Sequence, residues 1–199
     1  MSNVCAGIGR GQMKVLDAHI AHHKHVQALY EELLADVPGV TIHKQPADPR
    51  YDANFWLCAA TLEPEVRIQG EDAYKEVIKT AVGGAAGVIH QVESATTDCQ
   101  PNENVEALRV FMLGKKIEAR PTWKPMHCQP VYRHGEVHVS RFKVNGEDAI
   151  CQTCENSVAY TKGVEEELFK VGFCLPAGPY VTDEDVRYIV ESIKEAIVK

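Results

Sequence analysis

The stretch VEEELFKVGFCLPAGPYVTDEDVRYIVESIKEAI, residues 164–197, decides the fold class. Its opening residues, three glutamates and then Leu168, Phe169 and Val171, read as a short helix that Gly172 stops. Phe173-Cys174-Leu175 follows as a short strand ended by Pro176. Thr182-Asp183-Glu184-Asp185 has the form of a capping box. Beyond it Val186, Ile189, Val190, Ile193 and Ile197 recur at helical spacing and give a closing helix one apolar stripe. Strands separated by helices predict an α/β (α+β) layer, a small sheet covered by helices.

The same alternation extends upstream. Residues 3–35 read as helix, in one piece or two, with Val15, Leu16, Ile20, Tyr30, Leu33 and Leu34 at helical spacing and Pro38-Gly39 as the stop. Val40 to His43 is a short strand, and a turn follows around Pro46, Asp48 and Pro49. Phe55 to Leu62 is nearly continuous in apolar character, which predicts a central strand. Ala73 to Val82 reads as helix and 83–101 as a long irregular stretch. Asn104 to Leu113 reads as helix, with Asn102 or Asn104 as cap and Gly114 as terminator. Lys116 to Arg120 reads as a strand ended by Pro121, whereas the polar run from Tyr132 to Tyr160 suggests no element.

Composition narrows the function. With a formal net charge of −7, the chain has no global attraction for nucleic acid or for an anionic membrane. No apolar run approaches the roughly 20 residues that span a bilayer, and Met1 to Met13 has no signal core, so a cytoplasmic protein is expected. Seven irregularly spaced cysteines do not form a disulfide framework and are expected to be mostly buried thiols.

The densest chemical cluster is Arg120-Pro121-Thr122-Trp123-Lys124-Pro125-Met126-His127. Two prolines stiffen it at the end of an expected strand, where open α/β sheets commonly place ligands. Arg120 and Lys124 can grip carboxylate or phosphate oxygens, Trp123 offers a flat face to a sugar or base, and His127 can donate to a carboxylate or carry a proton. The competing reading is a rigid turn with a packed tryptophan and solvated cations. Cys151 and Cys154 have the spacing of a redox dithiol or half a zinc site, without a second such pair. His19, His22, His23 and His25 crowd one helix; a solvated or interface face is expected there rather than a metal site. Gly7, Gly9 and Gly11 fit no phosphate-loop spacing and are expected to permit close helix packing.

Three blocks carry a resemblance. Ser2 to Met13, with Val15-Leu16-Asp17, resembles the start of the interdomain helix in the DegT/DnrJ/EryC1/StrS aminotransferases. Ile117 to His127, with Gln129-Pro130-Val131, is similar to a signature of the members that aminate 4-keto nucleotide sugars. Leu168-Phe169 through Gly178, then Thr182 to Asp185, looks like the family's closing strand and last helix. The resemblance implies a fold-type-I transaminase, with residues 1–37 as the interdomain helical segment and 38–199 as the C-terminal small domain. It also implies that the Schiff-base lysine and the pyridoxal 5'-phosphate machinery belong to a large domain that precedes Ser2 in the family. Cofactor is therefore expected in the full-length family and none on this chain alone. No lysine here is nominated as catalytic. Glutamate and a nucleotide sugar are the implied reactants, and a homodimer or association with a large domain is the implied assembly. Arg120, Trp123, Lys124 and His127 match the stretch that approaches the substrate side of the cleft.

Three readings follow: an aminotransferase small domain inactive by itself, a non-enzymatic subunit that docks with a separately encoded N-terminal half, and a metal or thiol-redox module at Cys151 and Cys154.

Overall fold

A computed structural model describes residues 2–72, 99–129, 132, 138–154 and 157–198. All of the expected helix at Ala73 to Val82 and most of the irregular stretch after it lie outside these residues. Helices α1 (Asn3–Met13) and α2 (Leu16–Leu33) open the chain. Strands β1 (Val40–Ile42) and β2 (Cys58–Leu62) follow, then α3 (Glu103–Gly114) and β3 (Arg120–Pro121). A 3-10 turn at Met126–Cys128 leads to β4 (His138–Val144), β5 (Glu147–Cys154) and β6 (Ser157–Thr161). Helix α4 (Val164–Val171), β7 (Gly172–Leu175) and α5 (Asp183–Ala196) close it. The expected mixture of helix and small sheet is what forms, as two antiparallel sheets ordered β1-β2-β7-β3 and β4-β5-β6.

The core sits against the four-stranded sheet. Every residue of β7 is buried, and β2 lies between β1 and β7, so the strand read as central is central. It is shorter than expected because Phe55 adopts a left-handed backbone, φ 47°, and pairing begins only at Cys58. Cys58, Ala60, Leu62, Phe173 and Leu175 join Val26 and Tyr30 of α2, Leu108 and Met112 of α3, and Val186, Ile189, Val190 and Ile193 of α5 in one apolar cluster. Truncating such a side chain costs about 2–5 kcal/mol, which is what fixes the layer order. The fully buried Tyr30 donates its hydroxyl to the Pro176 carbonyl at 3.0 Å, and burial pushes its pKa well up. At the entry to α5, the Thr182 side chain accepts from the Asp185 N–H while Asp185 accepts from the Thr182 N–H, the capping box the sequence suggested.

Several expectations change. The opening helix breaks at Lys14 and Val15, and α1 buries none of its residues. A Cβ added at Gly7, Gly9 or Gly11 would meet nothing within 4 Å, so no close packing within this chain explains those glycines. Asn102, not Asn104, is the N-cap of α3. Asn104 is buried inside the helix, and its Nδ2 donates to the carbonyls of Glu63 at 2.9 Å and Val66 at 3.1 Å, tying down the turn after β2. Gly114 is the last residue of α3, but it does not supply the left-handed turn that closes the helix. Lys116, two residues on, takes the left-handed position, φ 63°, with Lys116 N–H on Leu113 O and Ile117 N–H on Met112 O, each at 2.9 Å. This is the Schellman arrangement, sealed by the buried Ile117 and Met112. It leaves only Arg120–Pro121 free to pair as a strand.

The polar run after Tyr132 is the largest departure. It contains a three-stranded meander whose first hairpin turns on Asn145 and Gly146, φ 51° and 86°, with Val144 opposite Glu147. A two-residue Asn-Gly loop with both φ positive is the favoured hairpin turn. The helical histidines also depart from a purely solvated face. The Nε2 atoms of His22 and His23 are buried without a hydrogen-bond partner, and burial lowers the His23 pKa. His25 reaches Asp183 at 2.7 Å.

Candidate functional site

The candidate segment begins where β3 pairs with β7, Arg120 opposite Cys174 and Pro121 opposite Phe173. Thr122 continues the alignment: its N–H donates to Gly172 O, and its hydroxyl donates to Leu168 O, each at 3.1 Å. Gly172 is required for that approach. A Cβ there would lie 2.3 Å from the Leu168 carbonyl oxygen and 2.6 Å from Thr122 Oγ1. The junction of α4 and β7 therefore holds the segment against the sheet edge.

From this anchor the chain sends side chains in two directions. Outward, the Arg120 guanidinium is exposed and pairs with Glu118 at 2.5 Å. Trp123 is 63% exposed and meets the equally open Trp56, ring centres 5.4 Å apart and tilted by 35°. Together they form an aromatic step of the kind that stacks on a sugar or base face. Inward, Pro125 starts the 3-10 turn, with Cys128 N–H on Pro125 O at 2.9 Å, and the turn drives His127 and Cys128 towards α4. His127 Nε2 lies 2.8 Å from Glu166 Oε1. The same oxygen accepts from Gln152 Nε2 at 2.9 Å. Because an ionised carboxylate only accepts, Nε2 is the protonated ring nitrogen in this pair. Lys124 extends its ammonium over the Phe169 ring, 5.8 Å from the centre.

Beneath His127, Cys99 and Cys128 are buried with Phe169 in a small cluster of their own. One ligand atom from each of Cys99, Cys128 and Glu166 falls within 4.8 Å of the others. Burial pushes the Cys99 thiol up, while its hydrogen bond with Cys128 and the charges of Lys124 and Lys170 pull the other way.

Of the residues singled out in the sequence, Trp123 and Arg120 face solvent on the outer side, whereas Lys124 and His127 turn towards α4. The four share one segment but do not converge on one point. Trp56, Glu166, Cys99 and Cys128 escaped the sequence reading. Trp56 follows a run with no motif, Glu166 is the middle of three glutamates, and Cys99 and Cys128 have no ligand spacing. Cys151 and Cys154 lie within β5 rather than at a helix N-terminus, the setting that activates a redox dithiol. Cys58, Cys99, Cys128 and Cys174 are buried and outside any disulfide, as expected of most cysteines here.

Lys115 and Lys170 are held protonated by the hydrogen bonds they donate to Glu195 and Glu167, the reverse of what a Schiff-base amine requires. Lys24, Lys44, Lys143, Lys162 and Lys194 form ion pairs with carboxylates.

Among the described residues, no helix is long and apolar enough to cross a membrane. The family model of the DegT/DnrJ/EryC1/StrS aminotransferase family matches residues 1–91. A protein of Bacillus subtilis (strain 168) that carries the name of a pyridoxal phosphate-dependent aminotransferase, EpsN, is 27% identical over 96% of this chain and 34% of its own length. The GDP-perosamine synthase of Escherichia coli O157:H7 is 24% identical over 98% of this chain and 36% of its own. The crystal structure of DesI in the presence of its TDP-sugar product superposes with a TM-score of 0.58 at 17% identity, over 98% of this chain and 35% of that one. At that identity the superposition speaks for the fold. The chain spans about a third of the length of the relatives it matches.

Proposed function

We infer, from a chain related in sequence and fold to the DegT/DnrJ/EryC1/StrS aminotransferases, that it supplies the small-domain wall of a sugar aminotransferase cleft. On this reading, residues 38–199 are the small domain and 1–37 the helical connection to the rest of the enzyme. The observation that carries it is coverage: alignments that take in 96–98% of this chain take in only 34–36% of the curated relatives. Helix α1, with no buried residue and with Val4, Ile8 and Met13 open to solvent, is what a connecting helix separated from its neighbour would show.

In the assembled enzyme the bound pyridoxal phosphate supplies the carbonyl and electron sink for amino transfer. The residues of this chain bind and orient. Trp123, with Trp56, offers its face to the nucleotide sugar, and Arg120 is within reach of a phosphate or carboxylate once it leaves Glu118. Lys124 contributes positive charge behind the step. His127, held by Glu166, presents a fixed ring at the base of the segment. The amino donor is glutamate and the acceptor a 4-keto nucleotide sugar. A second copy of the chain or a large-domain partner covers α1.

By themselves these 199 residues are expected to be inactive. The purified chain incubated with pyridoxal phosphate, glutamate and a 4-keto nucleotide sugar should show no protein-bound aldimine absorbance and no amino transfer. Turnover by the chain alone would overturn this reading. Co-expression with the cofactor-binding portion of a relative should restore transfer, and Trp123→Ala in that assembly should lower kcat/KM by about tenfold or more.

A further inference from the structure

We propose that Cys99, Cys128 and Glu166 form a zinc site beneath the candidate segment. Three donor atoms, two thiol sulfurs and one carboxylate oxygen, already lie within 4.8 Å of one another. A tetrahedral zinc would draw these donors to roughly 3.5–3.8 Å apart, given Zn–S bonds of about 2.3 Å and Zn–O bonds of about 2.0–2.2 Å. Two soft donors with one carboxylate select zinc over magnesium or calcium, which demand oxygen cages.

The surroundings agree with the donor set. Cys99 and Cys128 are 3% and 0% exposed, so the ion would sit in a largely dry pocket against Phe169. Glu166 does not hang free: His127 and Gln152 both bond its Oε1 and fix the carboxylate's orientation. Outer partners of this kind commonly hold a ligating carboxylate in place. The charges also balance in the right direction. Two thiolates and a carboxylate exceed the charge of the ion by one, and Lys124 and Lys170 are close enough to act on Cys99. Binding forms two Zn–S bonds and one Zn–O bond and releases the two thiol protons to solvent. With three protein ligands, a water completes the tetrahedron and the site remains exchangeable.

The ion would have a mechanical role. It ties residue 99, the 126–128 turn and the first turn of α4 to a single point, beside His127. This goes beyond the aminotransferase reading and does not depend on it.

The test is a titration of the reduced 199-residue chain with cobalt(II), displaced afterwards by zinc. The expected result is one cobalt per chain with thiolate-to-cobalt and tetrahedral absorption bands. Cys99→Ala and Cys128→Ala should each abolish the thiolate band, Glu166→Gln should weaken binding at least tenfold, and a Cys151→Ser/Cys154→Ser double variant should bind as the parent does. Alanine is used because it adds no hydroxyl to a buried site, and circular dichroism without metal checks that each variant is folded. If a cysteine variant does not fold, Glu166→Gln decides by itself: undiminished binding overturns the site. No thiolate band in the parent, or a band that survives Cys99→Ala and Cys128→Ala, overturns it as well. Loss of the band only in the Cys151/Cys154 variant would move the metal to β5 and overturn it too.

Discussion

The two sheets of this chain are built on opposite terms. In the four-stranded sheet, all of β7 is buried and β2 alternates buried with half-buried residues against three helices. In the meander, every residue of β4 is exposed, and the register places Phe142, Val144, Val158 and Tyr160 on one open face. The first sheet is held by burial, the second by its turn and by cross-strand pairs such as the edge-on Phe142 and Tyr160, 6.4 Å apart. The contrast shows where sequence pattern has force: an apolar period marks a strand only when a core is there to receive it.

The sharpest way to break this comparison is to remove one phenylalanine from each sheet. Phe173→Ala in β7 should cost about 3–5 kcal/mol of unfolding free energy, because a fully buried ring leaves a cavity among α2, α3 and α5. Phe142→Ala in β4 should cost no more than about 1 kcal/mol, the worth of one exposed aromatic pair. Urea unfolding of the two variants measures both. A similar loss from each would mean that the meander is as much a part of the core as β7.

The pH dependence sharpens the same contrast from the buried side. Burial, then the neighbouring Cys174 and Glu31, push the Cys58 thiol from its ordinary 9.0 up to about 12. The unfolded chain therefore releases this proton at lower pH than the folded one, and stability falls as pH rises from about 9 towards 12. The slope attributable to Cys58 is at most about 1.4 kcal/mol per pH unit. Cys58→Ala should flatten the stability profile between pH 9 and 10.5, although Cys174, pushed up by the same burial, keeps part of the slope. A variant profile parallel to the parent's would show that the thiol ionises as freely in the sheet as in the unfolded chain.

What was legible in the sequence divides along the same line. Val186, Ile189, Val190 and Ile193 announced α5 because one face meets the core, and the Thr182 box marked its start because capping is local chemistry. The hairpin was missed although Asn145-Gly146 carries the turn signal, since the strands beside it lack the apolar alternation that a buried face imposes. In the site, Arg120 to His127 could be found because it is contiguous. Trp56, Cys99 and Glu166 could not, because only the packing of α4 and of the strands brings them to Trp123 and Cys128. The roles given to Arg120, Trp123, Lys124 and His127 are the part that activity measurements must decide.

The smallest expected effect lies at the end of α3, where a local rule was overridden. Gly114 stands two residues too early in the motif, and Lys116 fills the left-handed position that glycine usually takes. The reason is the register of the core: Met112 and Ile117 must both be buried, and only a turn at 116 points both inward. A non-glycine residue in that conformation carries a strain of about 1–2 kcal/mol, while glycine would widen the unfolded ensemble by about 0.4–1 kcal/mol. The difference favours Lys116→Gly by about 0.5 kcal/mol, seen as a small rise in the urea midpoint at constant slope. At Asn145, which has the same handedness on the exposed sheet, the same substitution should gain less, since asparagine already tolerates the left-handed region. A destabilised Lys116→Gly would mean that the lysine stem, and not the backbone turn, is what holds the end of α3.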